Sequence, residues 1–243
     1  MLKSFEKLCE TELSILESGK WGTIGPHSVA AGGALAKAVG RARAILCCSA
    51  DAALESVLRG MGAGYGKTVC VPALCSPVLV HAARRTGAAV VFCPCGDDGT
   101  PDADALAAIL TKAPVCMLTD AEAVTDAVTA ACKGAGVPLA AYIGGDIRPQ
   151  LPDAAALVGS TGPGSAVNAG SGGFAACDDK VIWARTFAAH NCGRDPGEGS
   201  TLVLEGMGGD MRVSEFVSAA VEQILQEGSF DTPAPAQRVR MDR

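Results

Sequence analysis

A chain of 243 residues, 49% apolar and 19% charged, with a mean hydropathy of +0.27, is long and apolar enough to bury a real core and is not an intrinsically disordered chain. Its formal net charge of −6 argues against nucleic acid or an anionic membrane surface as the main partner. No apolar run reaches the about 18 residues of a membrane span.

In chain order, Leu2, Phe5, Leu8, Cys9, Leu13 and Leu16 recur at helical spacing and Gly19 supplies a stop. A second helical stretch runs to about Val39 after the turn W-G-T-I-G-P. From Ile45 onward, apolar strands alternate with helices: ILCCS, TVCVPA, AVVFCPC, PVCMLTD, VPLAAYI, ALVGS and GFAACD. These runs are apolar throughout rather than alternating, as in strands covered on both faces. Between them, Ser76-Pro77 opens a helix that Gly87 closes, Thr100-Pro101 opens the next, and Asp120 caps a third, closed by Gly134. Two more helices are expected over Asp179–His190 and Val213–Gln226. Residues 229–243, SFDTPAPAQRVRMDR, show no period and read as a frayed tail. Repeated strand–helix units imply an α/β fold, a three-layer α/β/α sandwich around a mostly parallel sheet of about seven strands.

The cysteines number eleven, yet no C-x-x-C occurs and only Cys93-x-Cys95 has chelating spacing. Cys47, Cys48, Cys70, Cys93, Cys95 and Cys116 sit in Val/Ile/Leu-rich runs, where cysteine acts as a small hydrophobe. That usage fits a reducing, cytoplasmic compartment and no bound metal. The N-terminus mixes acids into its helical pattern, unlike a signal peptide.

Between ALVG and GFAAC lies Gly159–Gly173, GSTGPGSAVNAGSGG, with six glycines, four Ser/Thr and no charge. Uncovered consecutive amides in such a loop can form an anion-binding nest, and the plain alternative is a ligand-free crossover. This loop, the entry ILESGKWGTIGPHSVAAGGALAKAVG with Trp21 and Gly25, and the segment GMGGDMRVSEF together resemble the DegT/DnrJ family of pyridoxal-phosphate sugar aminotransferases. The resemblance implies fold type I and covers only the family's large domain. It assigns residues 1–228 to that domain, with 1–44 as an N-terminal helical segment and the small C-terminal domain absent.

The resemblance also sets what a pyridoxal enzyme needs against what stands here. The family's S-F-H-P-x-K matches Ser160, Thr161, Gly162, Pro163, Gly164 and Ser165, so Ser165 occupies the Schiff-base lysine position, and no lysine occurs between Lys133 and Lys180. Tyr142 falls at the ring-acid position, with Asp146 four residues on. Ser76 replaces the ring-stacking aromatic. The phosphate-binding turn becomes Ser49, Ala50 and Asp51, placing a carboxylate at a helix N-terminus that would otherwise attract anions. The segment whose asparagine reaches the neighbouring subunit's phosphate reads Gly208, Gly209, Asp210, Met211 and Arg212. Arg212 has Asp210 or Glu215 as a structural partner.

These positions imply a degenerate aminotransferase-like protein that binds no pyridoxal phosphate. Asp51, Asp210 and Asp146 would favour an amine or cation in its cleft. The family's dimeric architecture implies a homodimer, or a heterodimer in which this chain completes a full-length homologue. A transaminase using Lys180 or Lys133, or a chemistry built on Cys and Asp, stands as the enzymatic alternative. The histidines His27, His81 and His190 lie in no catalytic motif.

Overall fold

The computed structural model describes residues 5–22, 24–147, 151–194, 208–235 and 237–241. Helices α1 (Phe5–Ser18) and α2 (Pro26–Ala38) precede β1 (Arg43–Cys47), α3 (Ala50–Gly60), β2 (Thr68–Pro72), the short β3 (Leu74–Cys75), α4 (Pro77–Arg85) and β4 (Ala89–Cys93). Then come α5 (Ala103–Leu110), β5 (Cys116–Asp120), a 3-10 turn at Ala121–Ala123, α6 (Asp126–Ala135), β6 (Leu139–Gly144), β7 (Ala156–Ser160) and β8 (Gly173–Cys177). Helices α7 (Lys180–His190) and α8 (Glu215–Glu227) and the short β9 (Val239–Arg240) complete the described chain.

The seven expected strands form one sheet in the order β1-β8-β7-β6-β5-β2-β4. Only β8 runs antiparallel to its neighbours. Successive residues of each strand feed different cores, which is why the runs are apolar throughout. Val69, Val71, Cys116, Leu118, Ala156 and Val158 pack with α3 and α4 on one face. Cys70, Met117, Leu157 and Phe174 pack with α2, α5, α6 and α8 on the other. The chain leaves β2 outward to β4, returns beside β2 as β5, and continues through β6 and β7. Strand order therefore reverses between β2 and β5, and the crevice beyond the C-terminal strand ends at such a reversal is where open α/β sheets bind ligands.

Several local expectations are corrected. Ser76 precedes α4, but its hydroxyl makes no capping bond to the helix. Asp102, not Thr100, caps α5 by accepting from the Ala105 amide. Thr125 caps α6, and Gly136, in the left-handed region at φ 67°, ends it in place of Gly134. Asp120, read as the α6 cap, caps nothing. Helix α1 forms where its spacing placed it, but Phe5, Leu13 and Leu16 stay exposed and Ile15 supplies its buried contact; Leu2 lies outside the described residues. All eleven cysteines are free; Cys47, Cys70, Cys93 and Cys116 are buried as expected, while Cys48 is exposed.

The largest correction concerns residues 229–235 and 237–241 of the C-terminal segment, which pair with the rest of the fold instead of fraying. Val239 and Arg240 pair antiparallel with Cys75 and Leu74. The amides of Asp231, Ala234 and Met241 donate to the carbonyls of Ala166, Gly164 and Ala73 at 2.9, 2.8 and 2.7 Å. A Pro-containing segment without period gives no sequence signal of this kind, because its partners lie far away in the chain. Among the described residues no helix is long and apolar enough to cross a membrane.

Candidate functional site

A cavity of about 370 Å³ opens at the C-terminal edge of the sheet, beside the strand-order reversal. Its walls come from four strand ends: Ser76 and Pro77 beyond β2 and β3, Asp120 and Glu122 at β5, Tyr142 to Asp146 at β6, and Ser160 with Pro163–Ser165 after β7. The C-terminal segment closes one side with Pro233, Ala234, Pro235 and Gln237. Three carboxylates line the cavity, those of Asp120, Glu122 and Asp146, and no Lys, Arg or His does so among the described residues.

Asp120 is the residue that sequence reading missed here. It is 2% exposed. Its Oδ2 accepts from the Ser76 amide at 2.8 Å and lies 3.8 Å from Arg238 Nε. Its Oδ1 is buried with no hydrogen-bond partner. Burial pushes its carboxyl above the usual range, against the pull of Ser76 and Arg238. The available signal was an ionisable residue ending the buried strand PVCMLTD. Tyr142 faces Asp120 across the β5–β6 register, and burial, Asp120 and Asp51 push its phenol up.

Arg238 ties the C-terminal segment to this acidic wall. Its guanidinium donates to the Asp98 carbonyl at 2.6 Å and to Glu122 Oε2 at 2.8 Å. Replacing it with alanine leaves two cavity carboxylates without their cation, at an expected cost of about 2 kcal/mol. Hydrogen exchange checks this: the Ala234 and Met241 amides should lose protection while the β5 and β6 amides keep theirs. Arg238→Lys should recover part of it.

Of the two readings of the glycine-rich loop, the bonds within it favour the ligand-free crossover. The amides of Thr161, Ser165, Ala166 and Ala169 donate to the carbonyls of Gly172, Gly162, Gly145 and Thr161, and those of Gly162 and Gly170 to the side chains of Ser160 and Asn168. Ser160 Oγ is thus an internal acceptor. Ser165 is 2% exposed, and its backbone lies so close to Gly145 that a Cβ there would fall 2.5 Å from the Ser165 Cα.

Of the remaining expected site residues, Ala50 and Asp51 lie outside the cavity of their own chain, and Asp210 and Arg212 are those expected to reach a neighbouring subunit's cleft. Ala50 and Asp51 open α3, whose Ala52 amide is already taken by Ser49 Oγ at 3.0 Å. Asp51 Oδ2 lies 3.4 Å from Arg85 Nη1, and Arg85 also holds Glu55 at 2.9 Å. Asp51 therefore acts on the cavity only through its field at Tyr142. Asp210 and Arg212 pair with each other at 2.7 and 3.0 Å, and Arg212 holds Asp210 below the usual carboxylate range. Arg212 borders a separate apolar cavity beside α2, β1 and α7. Glu215, the other partner considered for Arg212, instead accepts from the α2 N-terminus.

The two lysines of the enzymatic alternative are also elsewhere. Lys133 pairs with Asp153 at 2.6 Å, in a cleft with Leu139, Ala155 and Asp179 at the opposite end of the strands. Lys180 follows Asp179 at that same end. A five-residue strand, roughly 16 Å, separates them from the cavity.

The solved structures that this chain resembles share its fold. They include 3-amino-5-hydroxybenzoic acid (AHBA) synthase, at 23% identity and a TM-score of 0.76 over 93% of this chain and 63% of that one. DesI, solved in the presence of its TDP-sugar product, matches at 24% and 0.78 over 93% and 60%. PseC of Helicobacter pylori, an aminotransferase involved in the biosynthesis of pseudoaminic acid, matches at 17% and 0.76 over 92% and 63%. The chain thus spans about 60–63% of the length of these proteins. No curated protein matches it significantly in sequence. The profile of the DegT/DnrJ/EryC1/StrS aminotransferase family matches residues 5–134, more than half the chain and the part that supplies both sides of the strand-order reversal. With the sheet order, the crevice and that match in agreement, the chain belongs to the DegT/DnrJ/EryC1/StrS aminotransferase family.

Proposed function

We propose that this protein is a non-catalytic, small-molecule-binding member of its family that does not use pyridoxal phosphate. The observation that carries this reading is the donor set of the cavity. Ser165 stands at the position that the family resemblance gives to the lysine, Tyr142 stands at the ring-acid position, and among the described residues three acids but no Lys, Arg or His line the cavity. A hydroxyl cannot form the imine that a primary amine forms, and a phenol with a pKa near 10 is a poor counter-ion for a protonated pyridine. Two negative charges about 4 Å apart at an effective dielectric of ~20 repel by about 4 kcal/mol, so the acidic wall opposes a phosphate. Six of the loop amides and the Ala52 amide of α3, which could offset this repulsion, are already engaged within the chain. The residues present do not fit the cofactor.

The test is an absorbance scan on adding pyridoxal phosphate, followed by borohydride and peptide mapping. The expected result is no imine band beyond that of free amines and no fixed label on a cleft residue. A single stoichiometric label within residues 139–173, or turnover of an amino donor that one lysine substitution abolishes, overturns the reading.

A further inference from the structure

A buried carboxylate oxygen with no hydrogen-bond donor is costly to keep and is rare in folded chains. Asp120 Oδ1 is such an atom among the described residues, on a side chain that lines the cavity. The Ser76 amide and Arg238 both address the other oxygen. Glu122 and Asp146 add two further acids to the same walls, of which Glu122 is held by Arg238 at 2.8 Å. The other polar groups around the space, the hydroxyls of Ser76, Ser160 and Ser165, the Tyr142 phenol and the Gln237 amide, can accept hydrogen bonds as well as donate them. No three His, Cys, Asp or Glu residues among those described converge as metal ligands, so the acids are spread along the walls rather than gathered on a point ion. A spread of acceptors around about 370 Å³ matches an extended donor-bearing molecule.

We propose that the cavity binds a small organic cation, with an ammonium group donating to Asp120 Oδ1 and the rest of the molecule running toward Asp146. This deepens the cofactor-free reading above and depends on it only in requiring an empty cavity. The ammonium supplies the donor that Oδ1 lacks, and a charge-assisted bond of this kind is about twice as strong as a neutral one. The C-terminal segment sets the length of the site, since Pro233, Ala234 and Pro235 form its wall.

The probes are putrescine, butane-1,4-diol and succinate, which share a four-carbon chain and differ in terminal charge. Calorimetry on the full chain should show putrescine binding at least about tenfold tighter than the diol, with succinate undetected. Asp120→Asn, in which the side-chain oxygen still accepts from the Ser76 amide, should weaken putrescine about tenfold or more while leaving circular dichroism unchanged. Asp153→Asn removes the same charge at the far end of the sheet and should leave affinity within twofold. Equal weakening by both variants makes the binding a diffuse effect of net charge, and an unchanged affinity in Asp120→Asn removes Asp120 from the site; either outcome overturns the proposal, as does tighter binding of succinate. A pyridoxal label in the cleft overturns the preceding section instead, so the two failures are distinguishable.

Discussion

Replacing Glu215 with alanine should lower the stability of this protein by about 4 kcal/mol, the largest single-residue loss we expect outside the sheet. Glu215 is 1% exposed. Its carboxylate accepts from the amides of Gly25, His27 and Ser28 at 3.2, 2.8 and 3.0 Å and from Ser28 Oγ at 2.6 Å. Those amides open α2, whose own first turn has no side-chain cap. A helix start leaves amides without intrahelical partners, and here the first residue of α8 serves them from 190 positions away. Alanine at 215 strands several partly buried donors at once. The midpoint of thermal unfolding should fall by roughly 8–16 °C, at about 2–4 °C per kcal/mol for a chain of this size. Glutamine keeps one acceptor oxygen and should lose roughly half as much. A loss under about 1 kcal/mol for alanine would mean that water serves the α2 amides equally well.

Gly173→Ala should cost at least about 3 kcal/mol, through space rather than through backbone angle. A Cβ on Gly173 would lie 2.5 Å from the Ala50 nitrogen, 2.6 Å from its Cα and 2.6 Å from the Ser49 carbonyl carbon. All three are backbone atoms at the start of α3, where no rotamer change can relieve the overlap, so the helix must shift away from β8. Gly33 supplies the control. It lies within α2, and a Cβ there would meet nothing within 4 Å, so alanine should stabilise by about 0.5–1 kcal/mol through helix propensity. Urea unfolding of the two variants checks the pair, and equal effects at the two sites would mean that the close approach does not govern position 173. This contact also explains why a glycine must close the loop on the sheet.

The seven strands were legible because each is covered on both faces, so that burial wrote itself into unbroken apolar runs such as TVCVP and CMLTD. Helix starts were less legible. Thr100-Pro101 and Asp120 look like helix openings, yet Asp102 and Thr125 do the capping, because a cap depends on which side chain reaches an amide and not on residue type alone. In the site, Ser76, Tyr142, Asp146, Ser160 and Ser165 were placed together by family resemblance and do share one cavity. Ala50 and Asp51 were assigned to the cleft on the same basis but lie outside its walls, while Asp210 and Arg212 were expected to reach the cleft of a neighbouring subunit rather than that of their own chain. The two acids among them are held by arginines, Arg85 for Asp51 and Arg212 for Asp210.

A mostly parallel α/β sandwich, a hydroxyl at position 165 and an acidic surplus could all be read from the chain as written, since periodicity, residue identity and charge are properties of the chain itself. Which acids face the ligand space was settled by folding alone. Charge pairing acts over a few ångströms in space: Arg85 takes Asp51 away from that space, while Asp120 and Arg238, far apart in the chain, come to 3.8 Å and leave one oxygen of Asp120 with nothing to hold.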